Sequence, residues 1–441
     1  MEESIPPRID ADDGTRDDID AVSGTRLTTV AFIPSKHGAL STAITLQLPA
    51  GEAKNANAVP EVIIEEDNRT HPSIRPHDTS DEETHIIISS GSGIGKAEVF
   101  YRQAVKPILE TLWPEGHTNF LTHRTVSAST IQELTNDIFF PTANAGITLR
   151  IILLTGDGGI VDLVNGFLSQ PPSSSYKAPQ VVLLPLGTAN ALYHSINVSN
   201  PNQSTWGLRA LCFNASQEAQ RKPLPTFTTS FSPGARLLTN EARDEEALPQ
   251  DSKSGRPILH GAVVASWAMH ASLVADSDTA EYRKFGIDRF NMAAKEALYP
   301  VDGSAPHPYH ASISVLHGSD WTPIPEKEHM YVLATMVSNL EKLFCISPRS
   351  EPLDGKMWLV HFGPTSGDEA MRVMGLAYQG GKHVEDPMVR YEEIDGLRIE
   401  FREKEDRWRR VCVDGKIVRV EENGWVEIRK EEKFVLDVVV E

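Results

Sequence analysis

Through residues 85–200, short aliphatic runs alternate with stretches whose apolar positions recur at helical spacing. The runs are Ile86-Ile87-Ile88, Ile151-Ile152-Leu153-Leu154 and Val181-Val182-Leu183-Leu184, and turn residues bound each one, which predicts strands buried on both faces. Residues 97–112 and 129–139 carry helical patterns, the first containing Pro107, which should kink or split it. A further strand is predicted near residues 118–122. Ile160, Leu163, Val164 and Phe167 have helical spacing, and another helix is predicted from Ala191. Strand and helix alternating in short units predicts a parallel sheet with crossover helices.

Beyond about residue 220 the pattern becomes that of many short strands separated by turn signals. Residues 311–315, 329–334, 357–362, 397–401, 410–413 and 434–438 are the examples, with one helical interruption at 368–376. A mainly antiparallel sheet or β-sandwich is expected, with a polar, exposed loop at 240–257. Trp267, Met269, Leu273 and Val274 are read as core residues. Upstream, two alternating runs within residues 26–66 suggest a small sheet packed on something else, residues 1–25 read as disordered, and 68–84 as a linker. The domain reading is therefore an acidic, partly disordered region at 1–84, an α/β domain at 85–220 and a β-sandwich domain at 221–441.

Charge changes this picture only at the front of the chain. There are 42 basic and 61 acidic residues, a formal net charge of −19. The first 84 residues hold 17 acids against 7 bases, so −10 of the total lies there. Such a balance gives no long-range attraction to nucleic acid or anionic membrane, so any membrane contact is expected to be local. No apolar run approaches the roughly 18 residues of a membrane span, and the first residues are acidic where a secretory signal is basic. A cytoplasmic protein is expected. Its three cysteines, Cys212, Cys345 and Cys412, are widely spaced and fit neither a disulfide framework nor a zinc signature.

Three glycine-rich turns follow the three buried strands: Gly91-Ser92-Gly93-Ile94-Gly95-Lys96, Gly156-Asp157-Gly158-Gly159 and Gly187-Thr188-Ala189-Asn190. Any one alone is an ordinary tight turn. Together, at one edge of a parallel sheet, they favour a polyphosphate cradle, because glycine permits close backbone approach and N–H groups match phosphate oxygens. The first turn satisfies neither of two common fingerprints. Lys96 stands where a dinucleotide loop has its last glycine, and Ala97 stands where a P-loop needs a hydroxyl for Mg²⁺.

The set Ser89-Ser90-Gly91-Ser92-Gly93-Ile94-Gly95-Lys96-Ala97, Gly156-Asp157-Gly158, Val164-Asn165-Gly166-Phe167 and Pro185-Leu186-Gly187-Thr188-Ala189-Asn190-Ala191 resembles the diacylglycerol-kinase-type lipid kinases. Residues 273–286 with Arg289 and Phe290 are similar to the sphingosine kinase branch. The resemblance implies an α/β nucleotide-binding domain like those of NAD kinase and diacylglycerol kinase, a β-sandwich lipid domain, and a cleft between them for ATP and Mg²⁺. It assigns Asp157 as the general base. Ser89, Ser90, Gly91, Gly93, Gly95, Thr122, Gly156, Gly158, Asp162, Gly187, Thr188, Ala189, Asn190, Asp414 and Gly415 would hold the nucleotide. Arg283 and Arg289 would contact its phosphates, as a planar donor fork suits them to do. Asp278, with Asp276 beside it, would take the cationic head of a sphingoid base. Ligands for the metal are unassigned.

The implied activity is ATP-dependent phosphorylation of the primary hydroxyl of a sphingoid long-chain base. Diacylglycerol or ceramide as substrate, a catalytically impaired relative, and a soluble kinase of the NAD kinase type are the alternatives. Expected partners are the lipid and a transient membrane surface, with room for a homodimer and no nucleic acid. Four positions depart from the family pattern. Ser89-Ser90 replaces Asn-Pro, Ala189 replaces a glycine, Ser127 replaces a frequent histidine, and Lys416 replaces an acid, which concentrates the base role on Asp157.

Overall fold

The computed structural model describes residues 17–19, 26–34, 41–48, 59–67, 82–113, 120–198, 205–214 and 219–440. Strands β1 (Asp17–Ile19), β2 (Arg26–Pro34), β3 (Ser41–Leu48) and β4 (Glu61–Asp67) form an antiparallel sheet in sequence order. Of the stretch expected to be disordered, residues 17–19 are thus a strand, and the rest lies outside the described residues. Alternation within β3 turns Ile44 and Leu46 inward, where they join Val30 and Ile33 against Phe100 and Leu109. The small sheet is therefore packed onto the α/β domain.

The central sheet runs β6 (Phe120–Arg124), β5 (Glu82–Ile88), β7 (Thr148–Thr155), β8 (Gln180–Pro185), Asp437–Val440, Gln220–Pro223. The first four strands are mutually parallel. Their alternation divides the core cleanly. Ile87, Ile151 and Leu153 face one layer with Phe139 and Phe167, while Ile86, Ile88, Ile152 and Leu154 face the other with Phe100 and Ile108. Such two-sided burial is the reason these strands read as unbroken aliphatic runs.

Three features differ from the sequence reading. Glu82 and Glu83 begin β5, paired with Thr148 and Leu149, so the ladder extends through residues assigned to the linker; 68–81 lie outside the described residues. The chain from Ala97 to Leu112 stays helical through Pro107. A widened turn at Tyr101–Val105 precedes the proline and accommodates its missing N–H and its ring. Thr135–Phe139 precedes Pro141 in the same way. Finally, the C-terminal strand Asp437–Val440 belongs to the central sheet, parallel to β8, and not to the sandwich.

The remainder forms two antiparallel sheets packed face to face. One runs Ile258–Gly261, Phe227–Phe231, Trp425–Lys430, Gly396–Phe401, Tyr309–His317, Asp320–Pro323. The other contains Val264–Ala268 between Arg410–Val413 and Tyr331–Thr335. Phe231, Ile399 and Phe401 meet Val411, Leu333 and Leu359 in one core. The polar loop expected at 240–257 is partly ordered: exposed Asp244–Ala247 pairs with Arg236–Thr239 as a hairpin. Asn165 ties the two domains together. Its amide donates to the His260 carbonyl (2.8 Å) and its carbonyl oxygen accepts from the His260 N–H (3.0 Å).

Candidate active site in the interdomain cleft

The carboxyl ends of β5, β7 and β8 place the three glycine turns side by side. A Cβ on Gly156 would lie 2.7 Å from the Gly187 Cα, so the second and third turns touch backbone to backbone. Gly93 (φ +53°) lies so close over the third turn that a Cβ there would be 2.6 Å from the Leu186 carbonyl oxygen. Only glycine satisfies these approaches. Ala189 needs no such freedom, since the left-handed position is Asn190 (φ 54°). Asn190 closes the turn by accepting from the Gly187 N–H at 2.8 Å and donating to the Gly187 carbonyl at 3.0 Å.

Asp157 is the first residue of the helix Asp157–Leu168. Its two carboxylate oxygens accept the N–H groups of Ala191 (2.8 Å) and Leu192 (3.0 Å), clamping the second turn to the third. Burial pushes this carboxyl above its ordinary value, and the two N–H groups oppose that shift. One helical turn on, Asp162 pairs with Lys416 at 2.8 Å. Burial raises the Asp162 carboxyl too, and the Lys416 charge holds it down. Asp414 accepts from the N–H groups of Ala262 (2.6 Å), Val263 (3.1 Å) and Val264 (2.5 Å), fixing the hairpin turn that presents Lys416. Burial pushes its carboxyl up to about 7, against the pull of those N–H groups.

These elements enclose a cleft of about 850 Å³ between the domains. Ser89, Ser90, Gly91, Gly93, Gly156, Asp157, Gly158, Asp162, Gly187, Thr188, Ala189, Asp414 and Gly415 line it, with Asp278, Arg283 and Arg289. The structure thus gathers most of the residues singled out in the sequence. Four fall elsewhere. Thr122 lies inside β6, within 3.5 Å of the Tyr101 hydroxyl; the strand runs on to Arg124, so Thr125 is the residue at its cleft end. Gly95 and Asn190 shape their turns without lining the cleft. Asp276 is drawn to Arg410 at 2.8 Å.

The opposite wall is apolar. Met269, Leu273 and Val274, read as core from the sequence, face the cleft from the helix Met269–Ser277, while Trp267 is core as expected. Ile287, Phe290 and Leu298 from the helix region after Arg283, with Phe344, Met371 and Met374, complete the slot. At the junction of the polar and apolar walls, Asp278 accepts two hydrogen bonds from Arg283, each 3.0 Å, and a longer one from Arg289 at 3.4 Å. Hydrophobic residues scattered over three helices gave no single periodic signal, which is why the apolar wall was not read from the sequence.

A polyphosphate fits the polar wall, where the glycine turns present backbone and Arg283 and Arg289, paired with Asp278, border the same cleft. Mg²⁺ fits less directly. Asp157 and Asp414 already accept backbone N–H groups and Asp162 is paired with Lys416, so an ion would enter chiefly on the nucleotide's own oxygens.

A sheet-edge phosphate cradle facing an apolar slot suits phosphoryl transfer to a lipid. Residues 83–220 match the diacylglycerol kinase catalytic domain family, and this part of the chain is such a domain. The chain is similar to the sphingosine kinase 1 of Homo sapiens, 21% identical over 350 residues that cover 71% of this chain and 81% of that protein. The Rattus norvegicus and Mus musculus sphingosine kinase 1 are each 22% identical, over 76% of this chain and 85% of theirs. Among solved structures, a candidate diacylglycerol kinase from Bacillus anthracis str. Sterne superposes with a TM-score of 0.53 at 13% identity, covering 82% of this chain and 99% of that one. The lipid-kinase resemblance and the two-part fold expected from the sequence both hold. Among the described residues no helix is long and apolar enough to cross a membrane.

Proposed function

We propose that the protein transfers the γ-phosphoryl group of ATP to the primary hydroxyl of a sphingoid long-chain base. The observation that carries this reading is Asp278, a carboxylate that lines the same cleft as the glycine turns and follows directly on the helix whose Met269, Leu273 and Val274 line its apolar side. A sphingoid base carries a cation that diacylglycerol and ceramide lack, and a carboxylate beside an apolar slot discriminates in its favour.

In this reading ATP, carrying Mg²⁺, supplies the phosphoryl group and the cation that neutralises it. The glycine turns and Arg283 and Arg289 orient the phosphates; Lys416 adds positive charge where family relatives have an acid. Asp157, raised by burial, takes the proton from the lipid hydroxyl, as a proton acceptor tuned toward neutrality does best. Its two N–H partners occupy one lone pair on each oxygen and leave others for that proton. Membrane contact is local, at the mouth of the apolar slot.

Arg283 and Arg289 both pair with Asp278. Nucleotide phosphates compete for both arginines, so ATP binding frees the carboxylate for the lipid amine. A panel of sphingosine, sphinganine, phytosphingosine, diacylglycerol and ceramide with labelled ATP tests the reading. Phosphorylation of the free bases is expected, with Asp278→Asn narrowing the preference over diacylglycerol about tenfold or more. Phosphorylation of diacylglycerol or ceramide alone would overturn the substrate class while leaving the kinase in place. The Lys416–Asp162 pair favours a second reading, an impaired relative that binds nucleotide without turnover; turnover of any lipid excludes it.

A further inference from the structure

Outside the cleft, the sandwich domain gathers His307, His310 and Glu403. The His307 Nε2 lies 3.0 Å and the His310 Nδ1 3.2 Å from the same Glu403 oxygen, and one donor atom from each residue falls within 4.8 Å of the others. None of the three lines the cleft. We propose that these side chains form a binding site for a borderline divalent cation, Zn²⁺ foremost.

Three features of the surroundings point to a ligand set and not merely a hydrogen-bonded carboxylate. The first is spacing. Two imidazoles and a carboxylate bound to one tetrahedral Zn²⁺ at its usual bond lengths stand about 3.3–3.5 Å apart; here the two imidazoles lie 3.0 and 3.2 Å from the Glu403 oxygen, and the three ligand atoms fall within 4.8 Å of one another. The second is what lies behind each imidazole. The remaining nitrogen of His310, Nε2, faces the Glu328 carboxylate at 3.5 Å, the carboxylate–histidine–metal arrangement that fixes the ring's orientation. His307 stacks on Trp408 with centroids 4.0 Å apart and ring planes 10° apart, which fixes the ring that presents Nε2.

The third feature is the contrast in burial. The Glu403 side chain is 7% exposed, whereas those of His307 and His310 are 26% and 42% exposed, so a buried anion lies beneath two imidazoles that open to solvent. The backbone N–H of His310 also donates to Glu403 at 2.7 Å, locking the carboxylate in place without using the imidazoles. An ion entering from solvent would neutralise this charge and retain an open position for water or a further ligand. Two nitrogens and one oxygen select Zn²⁺ over Mg²⁺ or Ca²⁺, which prefer all-oxygen sets.

The test uses the full chain, stripped with chelator and desalted, then given Zn²⁺ alone and desalted again before elemental analysis. One equivalent of Zn²⁺ retained by the wild type, with a raised Tm, is expected, and no retention of Mg²⁺ in a parallel sample. His310→Gln, at the most exposed of the three ligands, and His307→Asn should each lose that equivalent while keeping the metal-free Tm. Should His307→Asn unfold, His310→Gln decides alone. Wild type that retains no Zn²⁺, or a folded His310→Gln that retains the same equivalent, would overturn the site. Lipid phosphorylation plays no part in the readout, so the result stands whatever the kinase's substrate.

Discussion

Asp157 and Lys416 carry the proposed chemistry at the scale of single residues. The sequence presented Lys416 as the loss of an acid; the structure adds what it gains, a 2.8 Å partner in Asp162 within the cleft. That pair is largely shielded, so removing Lys416 leaves an uncompensated carboxylate within the cleft. Lys416→Met should lower kcat/KM for ATP about tenfold, the scale of one charge-assisted contact, with a smaller effect on lipid KM. An unchanged kcat/KM would show that Lys416 serves only to balance Asp162. Asp278 is expected by resemblance to contact the substrate, but its double arginine pairing was not legible, because the three residues meet only through a turn between short helices. Asp276 illustrates the opposite failure. Two acids two positions apart look equivalent in sequence, and Arg410, 134 residues away, separates their fates.

At the scale of elements, the strands of the α/β domain were legible because burial on both faces leaves unbroken aliphatic runs. The turns were legible because close approach demands glycine. Their mutual contact is a tertiary fact, visible only when Gly156 and Gly187 are seen to touch. Gly156→Ala should therefore separate the second and third turns and break the Asp157 clamp on Ala191 and Leu192. ATP binding measured calorimetrically should weaken at least about tenfold, while Gly158→Ala, where a Cβ meets nothing within 4 Å, should bind nearly as the wild type does. Equal losses at both positions would remove the argument from close approach. Strand ends were the least legible feature. β6 ends two residues beyond the expected 118–122, which leaves Thr122, assigned by resemblance, inside the strand, because residues on both sides of a strand end share the same propensities.

For the whole molecule, the sequence marked two architectures but not their interleaving. Residues 434–438 read as one more apolar strand, and nothing local distinguishes a sandwich strand from one that, at Asp437–Val440, returns to the central sheet. Stability should reveal how much polar chemistry the combined fold buries. Burial lowers His194, His260 and His270 from an ordinary 6.5 to about 4, so each stays neutral in the fold while the unfolded chain takes up a proton. The unfolded state then binds more protons between those values, and stability is fully present above about pH 6.5 and lost as pH falls toward 4. The raised Asp157, Asp162 and Asp414 act in the opposite sense over their own range. Backbone N–H groups and Lys416 restrain these acids, so the histidines should dominate. Tm measured from pH 7 to pH 4.5 should fall, with a shallower fall in His270→Gln; a Tm that rises on acidification would place the acids in control.

The central claim is that this cleft moves phosphate from ATP to a sphingoid base with Asp157 as the proton acceptor. Transfer of labelled γ-phosphate to sphingosine by the wild type and by Asp157→Asn, with ATP affinity measured in parallel, tests it most directly. Labelled sphingosine phosphate from the wild type is predicted, with kcat lowered about 10² to 10⁴-fold in Asp157→Asn and ATP affinity nearly kept. No transfer by the wild type, or full transfer by Asp157→Asn, would contradict the account.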